Sequence, residues 1–252
     1  MIASLPMYDR PANAAAHDQL WDLIRDNLRD AGVDAPDALD RDTGYMTGWG
    51  RDDLVLGQIC NLPLRAKFRP MITMIGAADY GLPDCPAGHY NSVFIVHRNA
   101  DGDSPVDFIR GRFASNGLMS HSGYGAPQAW ALDHGAQFSA PMITGSHDRS
   151  LAMVANGRAD IAAIDAQTWA MQQVDSEDAA NVRVIGTTAP SPSMTFITRA
   201  GQDPAPYFAA IKTAITDLPA ECVSLLGLRD IVALPHTAYD LPLPPMPQTI
   251  DA

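Results

Sequence analysis

Three times between Phe113 and Val174 the chain passes from a short apolar run, through a polar turn, into a helical pattern. Residues 113–115 lead through Asn116 to Gly123 into a helix that runs to Asp133. Residues 140–144 lead through Gly145 and Ser146 into a helix with Leu151, Val154 and Ala155 on its apolar face, closed by Asn156-Gly157. Residues 161–164 lead through Asp165 into a helix from Gln167 to about Val174. Strands alternating with helices specify an α/β fold with largely parallel sheets. The rest of the chain fits this frame. Strands are expected at 2–5, 54–59, 68–75, 90–97, 182–185 and 194–198. Helices are expected near 13–31, around 51–54, and at 106–110, 206–218 and 221–226. In the first helix His17, Leu20, Trp21, Ile24 and Leu28 share one face, and Gly32 ends it. Residues 241–247 are proline-rich and irregular.

In such sheets ligands sit beyond the carboxyl ends of the strands. Tyr8, Gln58, the turn from Ser120 to Gly123, the turn from Thr144 to His147, and Asp165 all lie at or just past the ends of expected strands. Pro127 lacks an N–H and fits only the first positions of its helix. The helix is therefore expected to start near Gly123 or Tyr124, with Ser120 and Ser122 just ahead of it. Two hydroxyls, a glycine and N–H groups at the positive end of a helix form a receptor for a small oxyanion. The other reading is an ordinary serine cap on a glycine turn. Thr144-Gly145-Ser146-His147 carries the same two readings. Asp165 either caps the next helix or accepts from a ligand. The Gln58 amide can donate to an oxyanion and accept from its substituent. Tyr8, Tyr45, Trp49 and Tyr90 either wall a cleft or fill a core.

Composition narrows the function. The 252 residues suffice for one large domain or two lobes, and 46% are apolar. The net charge of −12 disfavours nucleic acid as a partner. No apolar run approaches the ~18 residues of a membrane helix. The seven histidines lack HExxH spacing, and the three cysteines form no CxxC pair, so neither a metal site nor a cofactor is expected. Cys60 and Cys85 lie in loop-like stretches, either bonded to each other or as two thiols. There is no G-x-S-x-G elbow for a serine nucleophile near Ser120, His121, His147 and Asp148. Residues 1–9 carry no basic segment or long apolar core, so they are not expected to be a signal peptide.

Asn116-x-x-x-Ser120-x-Ser122-Gly123-Tyr124 is followed by Thr144-Gly145-Ser146-His147-x-x-Ser150-Leu151-x-x-Val154-x-x-Gly157-x-x-Asp160 and the run from Ile161 to Asp165. This pattern resembles the phosphate/phosphonate substrate-binding proteins of ABC transporters. Gly57-Gln58-x-Cys60, with Cys85-x-x-x-x-Tyr90-x-Ser92, resembles the branch with a cysteine in each place. The resemblance implies a type II periplasmic-binding-protein fold of two α/β lobes joined by two crossing strands. Residues 1–95 plus 195–252 would form lobe one, and 96–194 lobe two. It implies capture of phosphate, phosphite or phosphonate by lobe closure, without covalent chemistry, by a monomer that serves an ABC transporter permease. The ligand-binding set is then Tyr8, Tyr45, Trp49, Gln58, Ser120, His121, Ser122, Gly123, Tyr124, Thr144, Ser146, His147 and Asp165. The family is periplasmic, whereas the amino terminus reads as cytoplasmic. Two other readings stand beside it. One is an enzyme on the same fold, acting on a phosphorylated or carboxylated metabolite, with His147 as acid/base and Asp165 orienting it. The other is a cytoplasmic ligand sensor.

Overall fold

The chain begins with β1 (Ile2–Ser4), α1 (Ala14–Asp30), α2 (Tyr45–Gly48), β2 (Leu54–Ile59), α3 (Asn61–Pro63) and β3 (Ile72–Asp79). The structure, a computed structural model, describes residues 1–245 and residue 247. A short strand, β4 (His89–Tyr90), leads to β5 (Ser92–His97), β6 (Phe113–Ser115), α4 (Ala126–Asp133), β7 (Met142–Ile143) and α5 (His147–Ala155). Then come β8 (Ile161–Asp165), α6 (Ala166–Asp175) and β9 (Val182–Thr187). The chain returns through β10 (Ser191–Pro192) to β11 (Thr195–Arg199), α7 (Pro204–Asp217), α8 (Ala220–Leu226) and β12 (Asp230–Val232).

Contacts divide the chain into two units. Unit 1 holds Met1–His89 and Pro192–Leu241, and unit 2 holds Tyr90–Ser191 with residues 242–245 and 247. The two crossing dipeptides, β4 and β10, pair with one another. The units change at residues 89–90 and 191–192, a few residues before the boundaries near 95 and 195 that the resemblance implies; β5 is hydrogen-bonded along its length within the second sheet, from Ser92 opposite Asp165 to His97 opposite Val182. Residues 242–245 and 247 group with unit 2.

Each unit is a five-stranded α/β sheet, in the order β1-β2-β11-β3-β12 and β7-β6-β8-β5-β9. The sheets are mixed rather than mostly parallel. In unit 2, β6 pairs parallel with β7 and β8, whereas β5 runs against β8 and β9. In unit 1, β1 and β2 are parallel, whereas β11 runs against β2 and β3, and β12 against β3. The reason is topological. Both β5 and β11 follow a crossing that reaches the sheet at the carboxyl ends of its parallel strands, so each must run back against its neighbours.

The second sheet is buried on both faces, which explains its nearly continuous apolar runs. Val93 and Ile95, with Ala162 and Ile164, point to a cluster completed by Leu151 and Val154 of α5. Phe94 and Val96, with Ile161 and Ala163, point to the opposite cluster around Phe113, Tyr124 and Phe138. In unit 1, Ile2, Trp49, Leu54, Ile59, Phe68 and Ile197 form one core. Helix α1 buries His17, Leu20, Trp21, Ile24 and Leu28, as the periodicity predicts.

Some elements differ from expectation. Residues 61–71 are helical, passing from α3 through a π-helical turn (Leu64–Phe68) into a 3-10 turn (Arg69–Met71), so β3 starts at Ile72 rather than Phe68. The short helix near Trp49 spans Tyr45–Gly48, ahead of the expected 51–54. Residues 241–245 and 247 have no regular structure, as expected; the end of the chain lies outside the described residues.

Candidate functional site

The carboxyl ends of β6 and β7 coincide, since Ser115 pairs with Ile143. The turns that follow them therefore lie side by side at one edge of unit 2. Beyond β6 the chain enters a π-helical turn, His121–Gly125, that runs into α4. The helix thus starts at His121, two or three residues earlier than expected, and Ser122 lies inside its first turn. The π-turn makes this possible: the N–H groups of Tyr124 and Gly125 both reach the Ser120 carbonyl, at 3.2 and 3.0 Å. Ser120 is the N-cap, and its Oγ accepts from the Gly123 N–H at 3.0 Å.

Ser122 is the centre of the arrangement. Its Oγ lies 3.0 Å from His147 Nε2 and 3.4 Å from Ser120 Oγ. Its carbonyl accepts from Ser92 Oγ at 2.9 Å. Gly123 is required by close approach: a Cβ there would stand 1.9 Å from Asn116 Oδ1 and 3.3 Å from His147 Cε1. Asn116 Oδ1 is buried and has no hydrogen-bond partner among the described residues.

The second turn brings His147 to Ser122. Ser146 caps α5 by accepting from the Arg149 N–H at 3.2 Å, and Gly145 adopts φ +88° to make the corner. Thr144 faces inward. Its Oγ1 lies 2.8 Å from Ser150 Oγ and within 3.2 Å of the Ser115 and Ser146 carbonyls. It braces the turn. Asp165 is 1% exposed and caps α6, with Oδ1 accepting from the Thr168 N–H at 2.9 Å.

Two residues of the first turn point elsewhere. His121 is 3% exposed, and its Nε2 lies 2.9 Å from Ser191 Oγ on β10. Tyr124 is fully buried in the core and donates its hydroxyl to the Pro245 carbonyl at 2.5 Å. Burial pushes its hydroxyl above the ordinary tyrosine range. Both were expected to face the ligand; an apolar helix face next to the sheet claims Tyr124 instead.

The unit 1 residues form a group of their own. Gln58 is buried at the end of β2 and donates from Nε2 to Tyr80 Oη at 3.2 Å. Tyr8 packs edge-on against Tyr80, with ring centroids 5.0 Å apart. These three, with His17, line a small cavity that leaves about 10 Å³ open to the centre of a water molecule, little more than the room for one. Trp49 is core, not wall: it is 3% exposed, packs on Phe68 and donates its indole N–H to the Gln58 carbonyl at 2.9 Å. Tyr45, resting on Trp49, is 49% exposed. Tyr90 is fully buried. Cys60 and Cys85 are thiols rather than a disulfide. Cys60 is packed into the interior at the end of β2, while Cys85 is held in the turn closed by its N–H on the Leu82 carbonyl. Burial and the carboxylates of Asp84 and Asp79 raise the Cys85 thiol.

Sequence reasoning did not assign roles to Ser92, Tyr80, His17 or Ser191. Tyr80 directly follows the apolar strand β3, a signal that could have found it. Ser191 lies in a proline break that carries no periodic signal. Among the described residues no group of three or more His, Cys, Asp or Glu could hold a metal ion, and no helix is long and apolar enough to cross a membrane.

Two α/β units joined through a pair of short strands, with capped polar turns at the sheet edges, define the type II periplasmic-binding-protein class of fold. Solved structures agree with this over nearly the whole chain. PhnD1 from Prochlorococcus marinus, solved with methylphosphonate, superposes with a TM-score of 0.71 at 18% identity, over 95% of this chain and 94% of its own. XAC2383 from Xanthomonas citri, solved with chloride ion, gives 0.67 at 17% identity, over 94% and 92%. A binding protein component of an ABC phosphonate transporter from Pseudomonas aeruginosa gives 0.65 at 17% identity, over 95% and 82%. No curated protein matches the chain significantly. A family model described as "ABC transporter, phosphonate, periplasmic substrate-binding protein" matches residues 58–230, and the chain belongs to that family. That family is one of substrate-binding proteins.

Proposed function

We propose that this protein captures a small phosphorus oxyanion (phosphate, phosphite or a phosphonate) as the solute receptor of an ABC transporter, and that lobe closure holds the ligand. The observation that carries the reading is the Ser120–Gly123 turn, with the Ser122 hydroxyl set 3.0 Å from His147 Nε2. A small anion needs several convergent donors at a helix start, away from the long-range repulsion of a chain with net charge −12. The Ser122 N–H, in the first helical turn, has no acceptor inside the helix, whereas that of Gly123 is taken by Ser120 Oγ. The Ser120 and Ser122 hydroxyls, the His147 imidazole and the capped start of α5 add further donors. Gly123 lets the backbone approach closely. Tyr8, Tyr45 and Gln58 are the unit 1 residues proposed to meet the ligand. Thr144, Ser146 and Asp165 shape the turns. The methylphosphonate bound to PhnD1 supports a phosphonate as one candidate. The receptor acts as a monomer and delivers to a permease.

The test is a thermal-shift screen with phosphate, phosphite, sulfate, methylphosphonate, 2-aminoethylphosphonate and simple carboxylates, followed by calorimetry. A ligand at 100 times its Kd adds about 2.7 kcal/mol to stability. A selective rise with one phosphorus oxyanion is the expected result, and no rise with any of them removes the anion assignment. Ser122→Ala should then weaken binding by about 1–3 kcal/mol, the range for leaving a buried polar group without its hydrogen-bond partner. Unchanged affinity would take Ser122 out of the site.

A further inference from the structure

His121 stands between the two serines of the proposed anion turn, yet its side chain turns away from them into the interior. Its Nε2 lies 2.9 Å from Ser191 Oγ, on the strand by which the chain leaves unit 2. Its ring centroid lies 6.2 Å from that of Tyr90, on the strand by which the chain enters. Histidine and serine are both buried, at 3% and 6% exposure, so their contact is shielded from water. A second polar link runs in parallel. Ser92, two residues past the entry, donates its hydroxyl to the Ser122 carbonyl at 2.9 Å. Thr188, three residues before the exit, holds Ser92 in turn: its Oγ1 accepts from the Ser92 N–H at 3.0 Å, and its N–H donates to the Ser92 carbonyl at 2.9 Å.

Sheet topology explains why these groups meet. Strand β5 is antiparallel to β8, with Ser92 opposite Asp165, and β9 ends with Thr187 opposite Val93. The start of β5 and the end of β9 therefore lie at the edge where β6 and β8 end. The crossings arrive beside the anion turn and not at the far edge of the sheet.

We infer that His121 is a positioning residue that ties the anion turn to the crossing strand through Ser191, so that the geometry of the turn and the geometry of the hinge are set together. Hinge closure concentrates its dihedral changes in a few residues at element ends. A turn bonded to such residues shifts with them, and a ligand that fixes the turn biases the hinge by the same free energy. His121 thus serves the ligand through Ser191 and Ser122 and does not touch it. This rests on the proposed anion-binding reading in its consequence for affinity, but not in the tie itself.

The experiment compares wild type, Ser191→Ala, His121→Phe, His121→Gln and the Ser191→Ala/His121→Phe double variant. Affinity for methylphosphonate and inorganic phosphate is measured by calorimetry. Amide hydrogen exchange is measured in peptides that cover residues 118–126 and 186–193, without added anion. Ser191→Ala, a small change at one hydroxyl, should speed exchange in both peptides and weaken binding about 5- to 20-fold, within the usual range of coupling between sites. His121→Phe should do the same, the double variant should be no weaker than the worse single, and His121→Gln, which keeps a hydrogen-bonding end, should recover most of the loss. Should Ser191→Ala leave both the exchange of residues 118–126 and the affinity unchanged, or should the two single losses simply add, the tie is refuted. If neither anion binds the wild type, the proposed ligand class fails, and the exchange comparison alone decides whether the tie exists.

Discussion

Gly123 shows most directly how a single residue decides what the turn can be. A methyl group on its Cα would sit 1.9 Å from Asn116 Oδ1, well inside contact, and 3.3 Å from the ring of His147. Gly123→Ala should therefore displace either Asn116 or the first helical turn. The expected cost is about 1–3 kcal/mol of stability, typical of overpacking, together with a loss of anion binding larger than that of Ser122→Ala. Thermal melting and calorimetry on the two variants check this, and an alanine variant that binds as well as wild type would show that the close approach has no role. The serines, the glycine and the histidine of these turns were legible because capping and helix-start chemistry depend on residue type and local spacing. The directions of His121, Tyr124 and Trp49 were not. Each is an amphipathic side chain at a position where local sequence permits both an inward and an outward pose. Long-range partners chose for them: Ser191, Pro245 and the Gln58 carbonyl lie 70, 121 and 9 residues away.

At the scale of the element, periodicity served well where one face meets the core. Helix α1 presents the expected apolar stripe, and that stripe includes a histidine. His17 is 6% exposed, with Nδ1 3.3 Å from the Asn13 carbonyl and 3.9 Å from Asp9 Oδ1; Asp9 is also held by Arg41, which reaches Asp18 as well. Burial lowers the His17 pKa from 6.5, and Asp9 opposes that only in part. The unfolded chain then binds more protons than the folded one between the lowered value and 6.5, so stability rises with pH across that window. Acidification from pH 7 should destabilise the protein on this account, and His17→Gln should flatten that part of the curve. Urea midpoints from pH 7.5 to 5 test it, and the same slope in the variant would assign the acid sensitivity to other groups. Periodicity failed where an element is short or irregular. The helical run at 61–71 changes from α to π to 3-10 within eleven positions, so no single period describes it. Strand β12 has three residues and is specified by its pairing with β3 rather than by its own pattern.

The whole molecule alternates between units: unit 1 is built from two separate stretches, whereas almost all of unit 2 is one continuous stretch, Tyr90–Ser191. The α/β class was legible in the strand–helix rhythm and the two-lobe plan only through the family resemblance; the mixed sheets were not legible, since strand direction depends on where a crossing enters. Continuity has a thermodynamic consequence. Unit 2 owns both apolar layers of its sheet, one built around Leu151 and Val154, the other around Phe94, Phe113 and Tyr124. A chain of this length with cores on both sheet faces can offset its own conformational entropy. The isolated segment 90–191 should therefore fold, with a cooperative melt and a structured near-ultraviolet dichroism signal. It should also be less stable than the same unit in the full chain. The segment lacks the Pro245 carbonyl that accepts the buried Tyr124 hydroxyl at 2.5 Å, and an unsatisfied buried hydroxyl costs about 1–3 kcal/mol. Tyr124→Phe separates the two effects. In the full chain it removes a satisfied hydrogen bond and should lower the melting temperature. In the segment it removes an unsatisfied donor, so the melting temperature should hold or rise. A segment without a cooperative transition would mean that unit 2 depends on the rest of the chain for its fold. Equal losses in both backgrounds would mean that the tail carbonyl is not what satisfies Tyr124.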